Sequence, residues 1–304
     1  MGPTAAGKTM LAVELVRRLP CDIISVDSAM VYRGMDIGTA KPGTEILAVA
    51  PHRLIDLLNP AEVYSAARFR CDARREIDAI RASGRVPLLT GGTMLYFHAL
   101  RHGLAPLPAA SWEVRRAIDA AAAKRGWSEL HRDLAGVDPE AAARIHPNDP
   151  QRIQRALEVY RISGRPLSAH LAAAGREPLA GPVVQLVVTP RERERLHQRI
   201  EQRLDTMLEQ GFGAEVESLR RNPHLSLDVP SMRSVGYRQV WEYLDAKYGW
   251  PEMRRRAIVA TRRFAKRQLT WLRAEPGGQW FDPEDPHLLD KILKRLKESG
   301  VPGT

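Results

Sequence analysis

The chain has 304 residues, is 44% hydrophobic and 27% charged, and carries 46 Lys and Arg against 36 Asp and Glu. That balance is ordinary for a globular protein and excludes a disordered chain or a collagen; two cysteines, Cys21 and Cys71, exclude a disulfide scaffold and a self-sufficient zinc site. A net charge of +10 favours a polyanionic partner without saying anything about fold.

Residues 1 to about 105 alternate short apolar runs with amphipathic stretches, the pattern of a parallel α/β sheet, and the first part of the core is placed at 1–108. Strands are expected at 22–26, 53–55 and 86–89, although Pro87 is awkward inside a strand. Helices are expected at 8–19, 65–83 and 93–100. From Leu104 to Pro108 the chain reads as a hinge, and residues 111 to about Gly175 are rich in Ala, Arg and Glu at helical spacing, with no strand pattern before a second hinge at 176–182, so a helical unit is placed at 109–180. This reads as an all-helical insertion in the α/β core. Residues 181–304 complete the core with a strand at 183–188 and then helices at 191–210, 213–221, 234–248, 252–273 and 287–298. Both cysteines are expected to be buried thiols. No apolar run approaches the ~20 residues of a membrane span, and Met1-Gly2-Pro3-Thr4 does not open a signal peptide, so a cytoplasmic protein is expected.

Gly2-Pro3-Thr4-Ala5-Ala6-Gly7-Lys8-Thr9 fits G-x-x-x-x-G-K-[ST] at every fixed position. The glycines let the backbone curl so that successive N–H groups face a phosphate; Lys8 adds a point charge and Thr9 a hydroxyl for Mg²⁺. A helix starts at once, and its N-terminus also favours anions. A strand should lead into such a loop, yet only Met1 precedes it; the expectation is a first strand lying upstream, whose restoration would raise the melting temperature.

The strand at 22–26 ends in Asp27-Ser28, on the rim where parallel sheets bind ligands. Asp27 is either catalytic there or the cap of the next turn. Thr93, after Thr90-Gly91-Gly92, offers a hydroxyl on the same rim or simply belongs to a strand-to-helix turn. Residues 32–42 form a loop beside the crevice, with Arg33 and Lys41 available for anions, and His52 and Asp56 flank a strand. Arg199 and Arg203, one turn apart on one helix face, either reach a common anion or pair with Glu192, Glu194 or Glu201. The helix at 252–273 has many more basic than acidic residues, with Trp271 among them, which points to nucleic-acid phosphates; Gln151-Arg152-Ile153-Gln154-Arg155 is a weaker case of the same kind.

Taken together, GPTAAGKT at 2–9, SVDSAMVYRGMDIGTAKP at 25–42, HRLID at 52–56, PLLTGGTMLY at 87–96, NDPQRIQRALEVY at 148–160, RSVGYRQ at 233–239 and KRQLTWLR at 266–273 resemble the bacterial tRNA dimethylallyltransferases. The resemblance implies a P-loop NTPase-like parallel sheet core, a helical insertion that clasps the anticodon stem-loop, and a helical C-terminal region. It implies transfer of a dimethylallyl group from dimethylallyl diphosphate to N6 of the adenosine beside the anticodon, with Mg²⁺ as cofactor. In the family the phosphate loop holds the diphosphate, and Arg199 and Arg203, read from their spacing as able to reach a common anion, are assigned to the same group. The catalytic set is read as Asp27, which takes the N6 proton, Thr93 and Lys8. Approach to tRNA is implied for Asp27, Ser28, Ala29, Met30, Thr93, Arg115, Gln151, Arg152, Ile153, Gln154 and Arg155. It is implied as well for Arg233, Ser234, Val235, Gly236, Tyr237, Arg238, and for Lys266, Arg267, Gln268, Leu269, Thr270, Trp271, Leu272 and Arg273. Met30 departs from the Gln common in the family, and no zinc-finger extension of the eukaryotic type follows. A monomer is expected. The competing readings are an enzyme that prenylates a free adenine nucleotide, a small-molecule kinase, and a non-catalytic RNA-binding module.

Overall fold

The structure is a computed structural model that describes residues 1–173 and 177–303. It is mixed α/β and falls into two compact units, one of Met1–Leu100 with Ala180–Thr304 and one of Arg101–Leu179.

In the first unit, helix α1 (Lys8–Arg18) follows the phosphate-type loop, and strand β1 (Cys21–Val26) follows α1. After helix α2 (Thr44–Val49) and strand β2 (His52–Arg53), helix α3 (Ala66–Ala82) leads to strand β3 (Val86–Gly91) and helix α4 (Met94–His102). The strands form a parallel sheet in the order β2-β1-β3, with Ile23 opposite His52 and Leu88. β1 is central, and Ile23, Ile24 and Val26 are wholly buried, as the continuous apolar run requires. Burying each such side chain contributes roughly 1.5–3 kcal/mol. Pro87 is tolerated because β3 pairs only with β1 among the described residues, so one side of the strand needs no N–H donor.

Several elements differ from the sequence reading. β2 ends at Arg53, because Leu54 and Asp56 both adopt left-handed backbone, with φ of 65° and 54°. The short α2 was not expected. Cys21 is buried but Cys71 is exposed: α3 turns Phe69, Ala73, Ile77 and Ile80 inward, and position 71 falls on the opposite face.

The second unit is helical: α5 (Trp112–Arg125), α6 (Trp127–Val137), α7 (Pro139–Arg144), α8 (Pro150–Ser163) and α9 (Leu167–Ala172). Its core is built from Ile118, Leu130, Leu134, Ile145, Ile153 and Leu157. Residues 101–108, read from sequence as the end of the core, cluster with this unit: the Pro108 carbonyl accepts from Arg155 Nη2 at 2.8 Å, and just beyond the segment the Ser111 N–H donates to Glu158. The expected block end at Gly175 and hinge start at Arg176 lie outside the described residues.

The chain returns to the first unit with strand β4 (Leu186–Val188), then helices α10 (Arg193–Glu209), α11 (Phe212–Arg220), α12 (Tyr237–Leu244) and α13 (Trp250–Ala274). Strand β5 (Gln279–Phe281) and helix α14 (Leu288–Glu298) complete it. β4 is half the expected length, and its parallel partner β5 is three residues that no periodicity could reveal. The Met1 carbonyl accepts from the Val188 N–H at 2.9 Å, which ties the start of the phosphate-type loop to β4. α12 is shorter than expected because Gly236, at φ 94°, breaks the helix and leaves Ser234 and Val235 in the preceding turn. No helix among the described residues is long and apolar enough to cross a membrane.

Candidate functional site

The loop 2–9 curls through left-handed backbone at Ala5, φ 62°, and Gly7, φ 82°. Gly7 is the N-cap of α1 and offers no side chain to the helix's first N–H groups, so those donors remain for a ligand. Lys8 folds back so that Nζ donates to Pro3 O at 2.6 Å. Burial and the nearby Arg203 push the Lys8 ammonium down to about 7, against a smaller opposing pull from Asp27. The charge this loop needs is therefore held at a cost that an anion would relieve.

The carboxyl ends of β1 and β3 meet beside the loop. A Cβ at Gly91 would lie 2.1 Å from Val26 O, so only glycine lets the two strand ends come this close. Thr93 N–H donates to Val26 O at 3.2 Å, and Thr93 Oγ1 accepts the Ser28 N–H at 3.1 Å. Asp27 Oδ1 accepts from the Ala29 and Met30 N–H groups at 2.8 and 3.2 Å. Both readings of Asp27 therefore describe the same side chain: one oxygen caps the turn, and the second has no hydrogen-bond partner among the described residues.

Thr4, Ala5, Lys8, Thr9, Asp27, Ser28, Ala29, Met30 and Thr93 all line one cleft of about 360 Å³. Arg203, Arg233, Ser234, Val235, Gly236, Tyr237, Arg267 and Gln268 line it too. Ile200, Leu204 and Met207 on α10, with Phe212 and Phe264, supply an apolar wall. That wall was missed as a site feature, although the i, i+4 spacing of Leu196, Ile200 and Leu204 is its visible signal. His52 also borders the cleft; its Nδ1 bonds Ala50 O at 2.8 Å, its buried Nε2 has no partner, and burial lowers its pKa.

Some assignments change. Arg199 and Arg203 do not pair with Glu192, Glu194 or Glu201: Arg199 Nε donates to Ala5 O at 2.9 Å and braces the loop outside the cleft lining, whereas Arg203 lines the cleft and reaches Thr39 O at 3.3 Å. Lys41 is not available for anions; its nearly buried ammonium binds Asp36 and Asp56, both at 2.5 Å, and Tyr32 O at 2.8 Å. Arg33 donates to Leu57 O at 2.9 Å. Gln268 is buried and ties the loop to β3, with Thr4 N–H donating to Oε1 at 2.9 Å and Nε2 donating to Gly92 O at 2.7 Å. Tyr237 is buried with its hydroxyl donating to Glu215 Oε1 at 2.5 Å, and burial beside that carboxylate pushes its phenol far up. Leu272 is also buried and Leu269 packs against the cluster of Ala5, Leu196, Ile200 and Ala265, so the segment 266–273 presents only part of its circumference to solvent. Lys266, Arg267, Thr270, Trp271 and Arg273 are its exposed members, and Arg238 is exposed as well.

In the helical unit, Gln151 and Arg152 are exposed, but Ile153 belongs to the core. Gln154 Nε2 donates to Asp119 Oδ1 at 2.6 Å. Arg115 makes a two-pronged contact to the buried Glu158 at 2.9 and 3.1 Å, and Arg155 reaches the same carboxylate at 2.5 Å. Both guanidinium groups are thus engaged in keeping a buried charge neutral.

A mixed α/β protein whose glycine-bearing loop and lysine open on a cleft with a free carboxylate oxygen is the class that fold and site define. The family model described as IPP transferase matches residues 30–275. A tRNA dimethylallyltransferase of Alkalilimnicola ehrlichii is 61% identical over 285 residues, 93% of this chain and 90% of that protein. The one from Thioalkalivibrio sulfidiphilus is 62% identical over 284 residues, covering 93% and 89%. Among solved structures, the full-length tRNA isopentenylpyrophosphate transferase of Bacillus halodurans matches with a TM-score of 0.69 at 37% identity, over 98% of this chain and 96% of that one. A eukaryotic dimethylallyltransferase acting on tRNA shares the fold, with a TM-score of 0.81 at 23% identity over 99% and 79%. The chain belongs to the IPP transferase family.

Proposed function

We propose that this protein transfers a dimethylallyl group from dimethylallyl diphosphate to N6 of the adenosine adjacent to the anticodon in tRNA, releasing diphosphate. The names of its relatives at 61–62% identity support the activity. The observation that carries the chemistry is the sharing of one cleft by the loop, Lys8, Thr93 and an Asp27 oxygen left free by the turn it caps.

The diphosphate rests on the loop N–H groups and the Lys8 ammonium. Its charge-assisted contacts outweigh burial of five prenyl carbons against Ile200, Leu204 and Phe212, roughly 4 kcal/mol at about 0.8 per carbon. The adenine amine attacks the allylic carbon, the C–O bond to diphosphate breaks, and the N6 proton passes to Asp27. Thr93, tied to the Asp27-Ser28 turn, holds that turn in place. The Thr9 hydroxyl and the Asp27 carboxylate are hard oxygen donors of the kind that suit Mg²⁺: the Thr9 hydroxyl would hold the ion, which would neutralise charge on the leaving group. The core is read as P-loop NTPase-like, with the unit at 101–179 as the insertion that clasps the anticodon stem-loop. The protein is read as a cytoplasmic monomer.

Incubation with dimethylallyl diphosphate and unmodified tRNA should yield prenylated adenosine. Product only with free adenine nucleotide, or ATP turnover with a small acceptor, would replace this reading.

A further inference from the structure

Helix α13 separates two concavities. It gives Thr261, Phe264, Arg267 and Gln268 to the catalytic cleft, and Arg262, Ala265, Lys266, Leu269 and Arg273 to a second pocket of about 530 Å³. The other wall of this pocket comes from the start of α10 and from β5. It brings Arg191, Arg193, His197 and Trp280 against the α13 cations.

The charge there is lopsided. The carboxylates that oppose the cations are Asp282, 3.7 Å from Arg191, Glu201, paired with Arg262, and Glu194, which with Glu201 faces His197. Lys266 and Arg273 have no carboxylate within ion-pairing distance among the described residues. Arg262 Nε is buried with no hydrogen-bond partner. Like charges gathered without counter-ions repel one another, so an anion is the natural occupant. Trp280 adds something no free anion uses: it is 45% exposed and lines a pocket whose cations are set among apolar side chains such as Leu196, Leu269 and Phe281. A flat aromatic face beside several cations suits a nucleotide, with the base stacked on the ring and the phosphates on the guanidinium and ammonium groups.

We infer that this second pocket is an RNA subsite, in which one unpaired nucleotide of the bound tRNA stacks on Trp280 while its flanking phosphates meet Arg193, Lys266 and Arg273. The inference rests on tRNA being the substrate. It extends the RNA path from the cleft side of α13 to the helix's other face, where neither the loop nor Asp27 takes part.

The test uses the full chain, unmodified tRNA transcript and inorganic pyrophosphate. Trp280→Ala should weaken tRNA binding roughly 5- to 100-fold, the value of one base stack, and Trp280→Phe should recover most of it. Arg193→Ala should flatten the log–log salt dependence by about one unit. The difference in tryptophan fluorescence between wild type and Trp280→Phe should show quenching with tRNA and none with pyrophosphate. Unchanged tRNA affinity in Trp280→Ala, while the wild type still prenylates tRNA, overturns the subsite and leaves the activity standing. Quenching by pyrophosphate equal to that by tRNA makes this a small-anion site instead. Absence of prenyl transfer by the wild type removes the functional reading itself.

Discussion

Gln268 on α13 and Thr4 in the phosphate-type loop are joined by a 2.9 Å hydrogen bond across 264 residues of sequence. The same amide gives its Nε2–H to Gly92 O. One buried side chain thus sets the distance between the loop and the end of β3. Gln268→Leu leaves the Thr4 N–H and the Gly92 carbonyl without partners, at about 1–3 kcal/mol for each orphaned group. The expected result is a lower melting temperature and weaker inhibition by pyrophosphate, with tRNA affinity unchanged. Weakened tRNA binding at constant melting temperature would return Gln268 to the RNA surface.

Asp27→Asn keeps the oxygen that caps the Ala29 and Met30 amides but loses the ability to take a proton. Single-turnover transfer should slow by about 10² or more, while donor and tRNA dissociation constants change little. If Asp27 instead serves Mg²⁺ beside Thr9, donor binding weakens and excess Mg²⁺ partly restores the rate. A Mg²⁺ titration of rate and donor affinity separates the two.

Lys8 provides a pH dependence with a definite sign. Its folded pKa is lowered to about 7 in the free protein, and a bound diphosphate raises it again. Between about 7 and the usual lysine range, diphosphate binding therefore takes up a proton, and affinity should fall as pH rises through that window. Calorimetry of pyrophosphate binding in buffers of different ionisation enthalpy checks this; no proton uptake at pH 8 would contradict it. The same depressed pKa means that the free protein carries an unfavourable charge below 7, and that this penalty fades as pH rises above it.

Glu215 holds the loop at 36–38 from below by accepting the Asp36, Ile37 and Gly38 N–H groups and the Tyr237 hydroxyl. Gly38 and Tyr237 both line the cleft. Glu215→Gln replaces one acceptor oxygen by a donor that faces two N–H groups. A stability loss of about 1–3 kcal/mol should follow in denaturant titration, together with a raised KM for tRNA.

The two cations of α13 that sequence alone treats alike should differ. Arg262 is paired with Glu201, while Lys266 is exposed. Lys266→Ala should lower the salt slope of tRNA binding by up to about one unit for each phosphate the side chain neutralises. Arg262→Ala should lower it less, because Glu201 already neutralises that guanidinium and it has little charge left for a phosphate. Equal changes in both variants would mean that the ion pair opens when RNA binds.

What the sequence determined by itself is local. Gly2 to Thr9 dictates a curled loop and a helix start, because fixed glycines and a lysine meet that geometry whatever surrounds them. The continuous apolar run of β1 dictates a central strand, and Asp27 and Thr93 follow at strand ends whose rim position comes with parallel topology. The alternation of basic and apolar residues on α13 dictates a charged helix. Only the tertiary structure decided which of those side chains are available. Gln268, Tyr237, Leu272 and Ile153 carry no mark in their neighbours to show that they are buried, since burial is settled by what packs from far along the chain. Lys41 and Arg115 look like free cations until Asp36, Asp56 and Glu158 are brought against them. The apolar wall of the cleft joins α10, α11 and α13, and β5 is three residues whose strand character comes from pairing with β4. Pairings of that kind depend on where the chain returns to, and no short window of residues contains them.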